Sequence, residues 1–282
     1  MDGIDWKTAI HYARLVAIAE NVEPDQEYAP ADIDAIQALG YTFVATIYGN
    51  ELATDVSPHK GETVTYGFLG VSAGGELLAA IRGTDTILEW VHDGEFLLVR
   101  NPVAGGAGLT EDGFTAIYKS LRVARGARSQ TVVAAMGDAL QPGGRAQTAT
   151  VAGHSLGGAL ATLLALDVAL HTSCRAPAVY TFASPRTGDP SFAAGFDSVV
   201  KASFRVASSP DLVPKLPPIL PIPYEHVNSP YELMPPLGAI REEVGCKHHL
   251  STYLWLMGLQ AADSNYPLDS ECRGVAYLGA AT

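Results

Sequence analysis

Near the N-terminus, Ile10, Ala13, Leu15, Ala17 and Ile18 recur close to helical spacing between charged positions. That pattern predicts an amphipathic helix within residues 1–21. Pro24 and Pro30 mark a turn, and residues 32–39 read as a short helix stopped at Gly40. The period then shortens. Residues 41–48 are rich in aromatic and β-branched side chains and predict a strand. Residues 64–71, the turn Ser72-Ala73-Gly74-Gly75 and residues 76–81 predict a hairpin. Residues 114–140 predict a largely helical stretch broken near Gly126. Beyond it, short apolar strands at 148–152, 179–182 and 204–207 alternate with helical runs, the clearest being 156–171. Residues 210–236 are too rich in proline for a sheet core, and 250–259 predict a last helix. This alternation predicts an α/β fold with a mostly parallel central sheet covered by helices on both faces. No repeat or linker divides the pattern, so residues 1–282 are expected to form a single domain.

Composition narrows the function. The chain is 48% hydrophobic with 28 Gly and 18 Pro, which describes a well-buried, turn-rich globular protein. Its formal charge of −12 repels polyphosphate and anionic headgroups, so nucleic acid is not an expected partner. Neutral esters are unaffected by that field. No run approaches the ~20 apolar residues of a transmembrane segment. Met1 to Asn21 has no basic stretch ahead of an apolar block, so the expectation is a cytoplasmic protein or the processed form of a secreted one. The cysteines, Cys174, Cys246 and Cys272, include no C-x-x-C pair and give no support to a zinc ribbon or redox site. A disulfide between Cys246 and Cys272 would contribute about 3.5 kcal/mol by loop closure; two reduced thiols are the alternative.

The strongest chemical signal is Gly153-His154-Ser155-Leu156-Gly157, with an apolar strand before it and a helix-forming run after it. A nucleophile elbow needs that strand–turn–helix setting, with glycines where the turn is tightest. A serine hydroxyl is a poor nucleophile until a base removes its proton, so a histidine and an orienting carboxylate are required. Asp211 lies just past the end of a predicted strand, where such sheets build their sites. Asp189 and Asp197 compete with it, although Asp189 sits in a Gly-Asp-Pro turn that explains it locally. For the base, His248 and His249 precede the last helix, whereas His226 lies in the proline-rich segment and reads as structural.

These motifs resemble the class 3, or fungal-type, triacylglycerol lipases of the α/β-hydrolase fold. Residues 153–158, 211–218 and 248–253 carry the likeness, together with Ile81-Arg82-Gly83-Thr84, Trp90 and Asp93, Gly113-Phe114, and Thr181-Phe182-Ala183-Ser184-Pro185-Arg186. The resemblance implies Ser155 as nucleophile, Asp211 as orienting acid and His248 or His249 as base. The spacing from His248 to Tyr253-Leu254 favours His248, and His249 remains the alternative. It also implies an oxyanion hole from the N–H groups of Leu156 and Thr84, the Thr84 hydroxyl offering a further donor. Neither metal nor organic cofactor is implied.

Residues 85–93 follow the oxyanion segment and place Ile87, Leu88, Trp90 and Val91 on one side of a short helix. An ordinary surface helix would look the same, but the position favours a movable lid over an acyl pocket, opening at a lipid–water interface. The expected activity is therefore carboxylester hydrolysis, foremost of acylglycerols. Phospholipase A1 or feruloyl-type esterase activity is the alternative within the same resemblance. A non-catalytic lipase-like interaction protein would lack one of the three triad residues, and all three are present.

Overall fold

The computed structural model describes residues 3–51, 62–84, 96–125 and 128–276. Helix α1, Trp6–Glu20, begins where the Asp5 carboxylate accepts a hydrogen bond from the Lys7 N–H. It buries Ala9, Ile10, Ala13, Leu15 and Val16 along one face. Helix α2, Pro30–Ala38, runs into strand β1, Tyr41–Asn50. The predicted hairpin follows as β2, Thr63–Ser72, and β3, Glu76–Ile81, paired antiparallel from Gly67↔Ile81 to Val71↔Leu77.

Strands β8 (Thr148–His154), β9 (Ala178–Phe182), β10 (Ala202–Ser208) and β11 (Tyr231–Leu233) continue the sheet beyond β3. All of these neighbours run parallel. Of the remaining strands, β4 (Leu98–Arg100) and β5 (Leu109–Glu111) form a separate two-stranded sheet, and β6 (Arg122–Arg125) and β7 (Arg128–Thr131) close the far edge of the main one. The nine-stranded order is β11-β10-β9-β8-β3-β2-β1-β6-β7.

Helices α3 (Asp112–Ser120), α4 (Val132–Leu140), α5 (Leu156–His171) and α6 (Pro190–Val199) pack against one face. On the other lie α1, α2 and α8 (Leu250–Ala261), the last preceded by the short α7 (Val244–His248). Strand side chains divide between the two faces with a period of two. Leu77, Ala79, Ile81, Val151 and Val179 join the first core, whereas Leu78, Ala80, Ala152 and Tyr180 join the second. A mixed sheet, parallel from β3 to β11 and covered by helices on both faces, is consistent with the α/β-hydrolase fold.

One expectation needs correction. Residues 114–140 are not one interrupted helix, because the β6–β7 hairpin lies between α3 and α4. Strand β6 pairs with β1 at Ile47↔Val123 and Tyr48↔Arg122, and Val123 is buried in the core. Pairing to the open edge of β1 and burial of Val123 outweigh local helix propensity. The proline-rich segment supplies no core strand, as expected, but Tyr231–Leu233, between Pro230 and Pro235, pairs with β10 at the sheet edge. An edge needs ladder bonds on one side only, so prolines beside it are tolerated.

Candidate active site

The parallel strands end together, and the sharpest of those ends is the turn from β8 into α5. Ser155 occupies it with φ 55° and ψ −126°, a backbone region that non-glycine residues rarely enter. The flanking glycines are required by space. A Cβ on Gly153 would lie 2.1 Å from the Gly157 carbonyl oxygen, and one on Gly157 would lie 2.4 Å from the carbonyl oxygens of Ile81 and Arg82. The strained serine is held by its N–H to the Phe182 carbonyl (2.9 Å) and by the Gly158 N–H to its own carbonyl (2.9 Å).

Ser155 Oγ lies 2.8 Å from His248 Nε2, and His248 Nδ1 lies 2.9 Å from Asp211 Oδ2. A carboxylate can only accept, so Nδ1 carries the proton and bare Nε2 accepts from the serine hydroxyl. Asp211 is completely buried at the end of β10. It is not left unpaired: Tyr253 Oη donates to Oδ2 (2.8 Å) and the Val213 N–H donates to Oδ1 (3.0 Å). Tyr253 Oη in turn accepts the Ser208 N–H at 3.0 Å. Burial, with Asp211 beside it, holds the Tyr253 hydroxyl far above the ordinary phenol range, so it remains a donor. Burial also holds His248 below the ordinary histidine range, against the opposing pull of its Asp211 hydrogen bond. At neutral pH the imidazole is thus neutral, with Nε2 free to take a proton.

The site opens to a cleft of about 620 Å³, whose lining includes Ser155, His248, Gly83, Thr84, Glu20 and Leu254. Leu156 is the first residue of α5, where helix N–H groups have no partner one turn back. Thr84 lines the cleft directly beyond β3, and its hydroxyl donates to Glu51 Oε1 at 3.4 Å. Residues 85–93, with Ile87, Leu88, Trp90 and Val91, lie outside the described residues.

The other candidates lie elsewhere. His249 is exposed at the start of α8, its Nδ1 4.0 Å from Cys272 Sγ. Asp189 caps α6 by accepting the Phe192 N–H at 2.7 Å, and Asp197 accepts the Asn228 N–H. Burial, with Arg205 nearby, lowers His226 to a pKa of about 3, and its ring meets the Pro214 carbonyl. Cys246 and Cys272 form a disulfide, so α7, which carries His248, is tied to the C-terminal segment. Sequence reasoning used Tyr253 only as a spacing mark and missed its contact with Asp211. The α8 pattern carries a signal for it, because an uninterrupted buried face places a tyrosine hydroxyl where it must find a partner.

Residues 78–220 match the family described as Lipase (class 3). Phospholipase A1-II 4 of Oryza sativa subsp. japonica is 32% identical over 205 residues, covering 64% of this chain and 52% of that protein. Secreted mono- and diacylglycerol lipase A of Penicillium cyclopium is 29% identical over 178 residues, covering 63% and 54%. A Rhizomucor miehei lipase–propeptide complex shares the fold with TM-score 0.63 at 24% identity, over 82% of this chain and 67% of that one. The chain spans about half the length of the curated relatives it matches.

Proposed function

We propose that this chain, which belongs to the class 3 lipase family, is a serine carboxylester hydrolase acting on neutral acylglycerols. One observation carries the reading: the unbroken hydrogen-bonded chain from Ser155 Oγ through His248 to buried Asp211, at the floor of a cleft. In this reading Ser155 Oγ attacks the ester carbonyl while His248 Nε2 takes its proton. The N–H groups of Leu156 and Thr84 stabilise the oxyanion, each such donor worth about 2.7–4 kcal/mol. The His248 imidazolium then protonates the departing alcohol. Water activated by the same imidazole releases the fatty acid and restores Ser155. Asp211 holds the productive tautomer and balances the transient positive charge, as Tyr253 and Val213 hold Asp211.

Phospholipase A1 activity is a second reading, favoured by the likeness to the rice phospholipase. The net charge of −12 weighs against anionic headgroups. Initial rates on emulsified triglyceride, phosphatidylcholine vesicles and phosphatidylglycerol vesicles separate the readings. The expected order is triglyceride first and phosphatidylglycerol last; phospholipid ahead of triglyceride would reverse the assignment. The same assay tests the lid. If Ile87, Leu88, Trp90 and Val91 cover the pocket in water, each such side chain stabilises the closed form by roughly 1.5–3 kcal/mol. Short-chain triglyceride hydrolysis should then rise abruptly past its solubility limit, and Trp90→Ala should blunt the rise. A smooth curve unchanged by Trp90→Ala would mean a fixed surface helix.

A further inference from the structure

Behind the base lies a second histidine. His154, next to the elbow serine, is buried with its ring centroid 4.8 Å from that of His248. Its Nδ1 lies 2.7 Å from Glu20 Oε1, and its Nε2 lies 2.9 Å from the backbone carbonyl oxygen of His248. Carboxylate and carbonyl oxygens can only accept, so both ring nitrogens must donate, and a ring with two N–H groups is an imidazolium. Glu20 Oε1 also accepts the Gly83 N–H at 3.3 Å, one residue before Thr84. There the packing is close, since a Cβ on Gly83 would meet Ser155 Cβ at 3.1 Å. One carboxylate therefore ties the elbow, the segment entering Thr84 and, through His154, the backbone of the base.

We propose that Glu20 and His154 form a second carboxylate–imidazolium pair that holds His248 in register with Ser155, which makes the last residue of α1 a positioning residue. The proposal rests on the reading of Ser155, His248 and Asp211 as the catalytic groups. Glu20 is the last residue of α1, so it is a contribution of the N-terminal helix.

The charges facing His154 agree with the geometry. Burial disfavours its charge, but Glu20 from α1, the His248 carbonyl from α7 and Asp211 beyond β10 outweigh that and raise its pKa. The rings of Tyr253 on α8 and His154 form a T-shaped pair with centroids 6.2 Å apart, and Arg82 beyond β3 is a further charge near Glu20. On His248, the His154 cation acts more strongly than the more distant Glu20 anion and in the opposite sense. Removing the pair's charges should therefore raise the pKa of His248.

Two variants separate charge from anchorage. In Glu20→Gln the amide NH2 can donate to Nδ1 while Nε2–H still bonds the carbonyl, so the anchorage of His248 survives on a neutral ring although the Gly83 N–H loses its acceptor. The expected result is a smaller fall in kcat than in Glu20→Ala, with the acidic limb of kcat/KM moved to higher pH. Glu20→Ala loses the link, and kcat on a soluble p-nitrophenyl ester should fall about tenfold or more with KM little changed. In the unmodified protein, ¹⁵N spectra of the imidazoles, with His154 identified by His154→Gln, should show both of its nitrogens protonated at pH 7. A bare nitrogen on His154 overturns the proposal even if Glu20→Ala fails to fold. So do Glu20 variants with unchanged kcat and unchanged acidic limb. Ser155→Ala measured alongside keeps the two readings apart: hydrolysis that survives it removes the catalytic assignment, whereas unchanged Glu20 variants beside an inactive Ser155→Ala remove only this pair.

Discussion

Asp211 carries a charge with no exposure to water, and the side chains around it explain how that is sustained. Three donors converge on it, from His248, Tyr253 and the Val213 N–H. A hydrogen bond to a buried charge is worth about 1.5–3 kcal/mol. Tyr253→Phe deletes one and leaves the Ser208 N–H without its acceptor. Thermal denaturation of that variant should show a Tm several degrees lower, and kcat should fall with little change in KM as the carboxylate loses a constraint. Unchanged Tm and kcat would mean that Tyr253 contributes nothing to the site. Ser155 and Asp211 were legible in the sequence because the elbow and the strand end have local signatures, whereas His248 was separated from His249 only by the spacing to Tyr253 that the family resemblance supplied. Tyr253, His154 and Glu20 were not legible, because their roles come from contacts spanning 42 to 134 residues of chain.

Among the elements, α7 has the weakest local support, since a helix of five residues makes few internal bonds. It nevertheless carries His248. The Cys246–Cys272 disulfide and the Thr252 hydroxyl, which donates to the Cys246 carbonyl at 2.6 Å, hold it in place. Over a separation of 26 residues, loop closure by the disulfide contributes about 3.5 kcal/mol. Changing both Cys246 and Cys272 to Ser should lower the Tm by roughly ten degrees or somewhat less and reduce kcat at temperatures where the fold persists. A double variant with the Tm and kcat of the unmodified protein would show that packing alone secures α7. The elements that the sequence pattern missed share a physical cause. The β6–β7 hairpin and β11 both take their structure from a neighbouring strand edge, at β1 and β10, which no local period reports. The parallel core was readable because each of its strands is a short apolar run followed by a helix or turn.

On the scale of the molecule, a sheet buried on both faces supplies a rigid platform, and its parallel strand ends bring distant residues together. β8 delivers Ser155, the segment after β10 delivers Asp211, and the α7–α8 junction, opposed by α1, delivers His248. Among the described residues no helix is long and apolar enough to cross a membrane. A single nucleophile at the convergence of these elements is the central claim. It is tested most directly by kcat on a soluble p-nitrophenyl ester for Ser155→Ala, with folding verified by its circular dichroism. The account predicts the loss of nearly all hydrolysis on an intact fold. Retention of more than about a tenth of the unmodified kcat, a barrier change under ~1.4 kcal/mol, would contradict it.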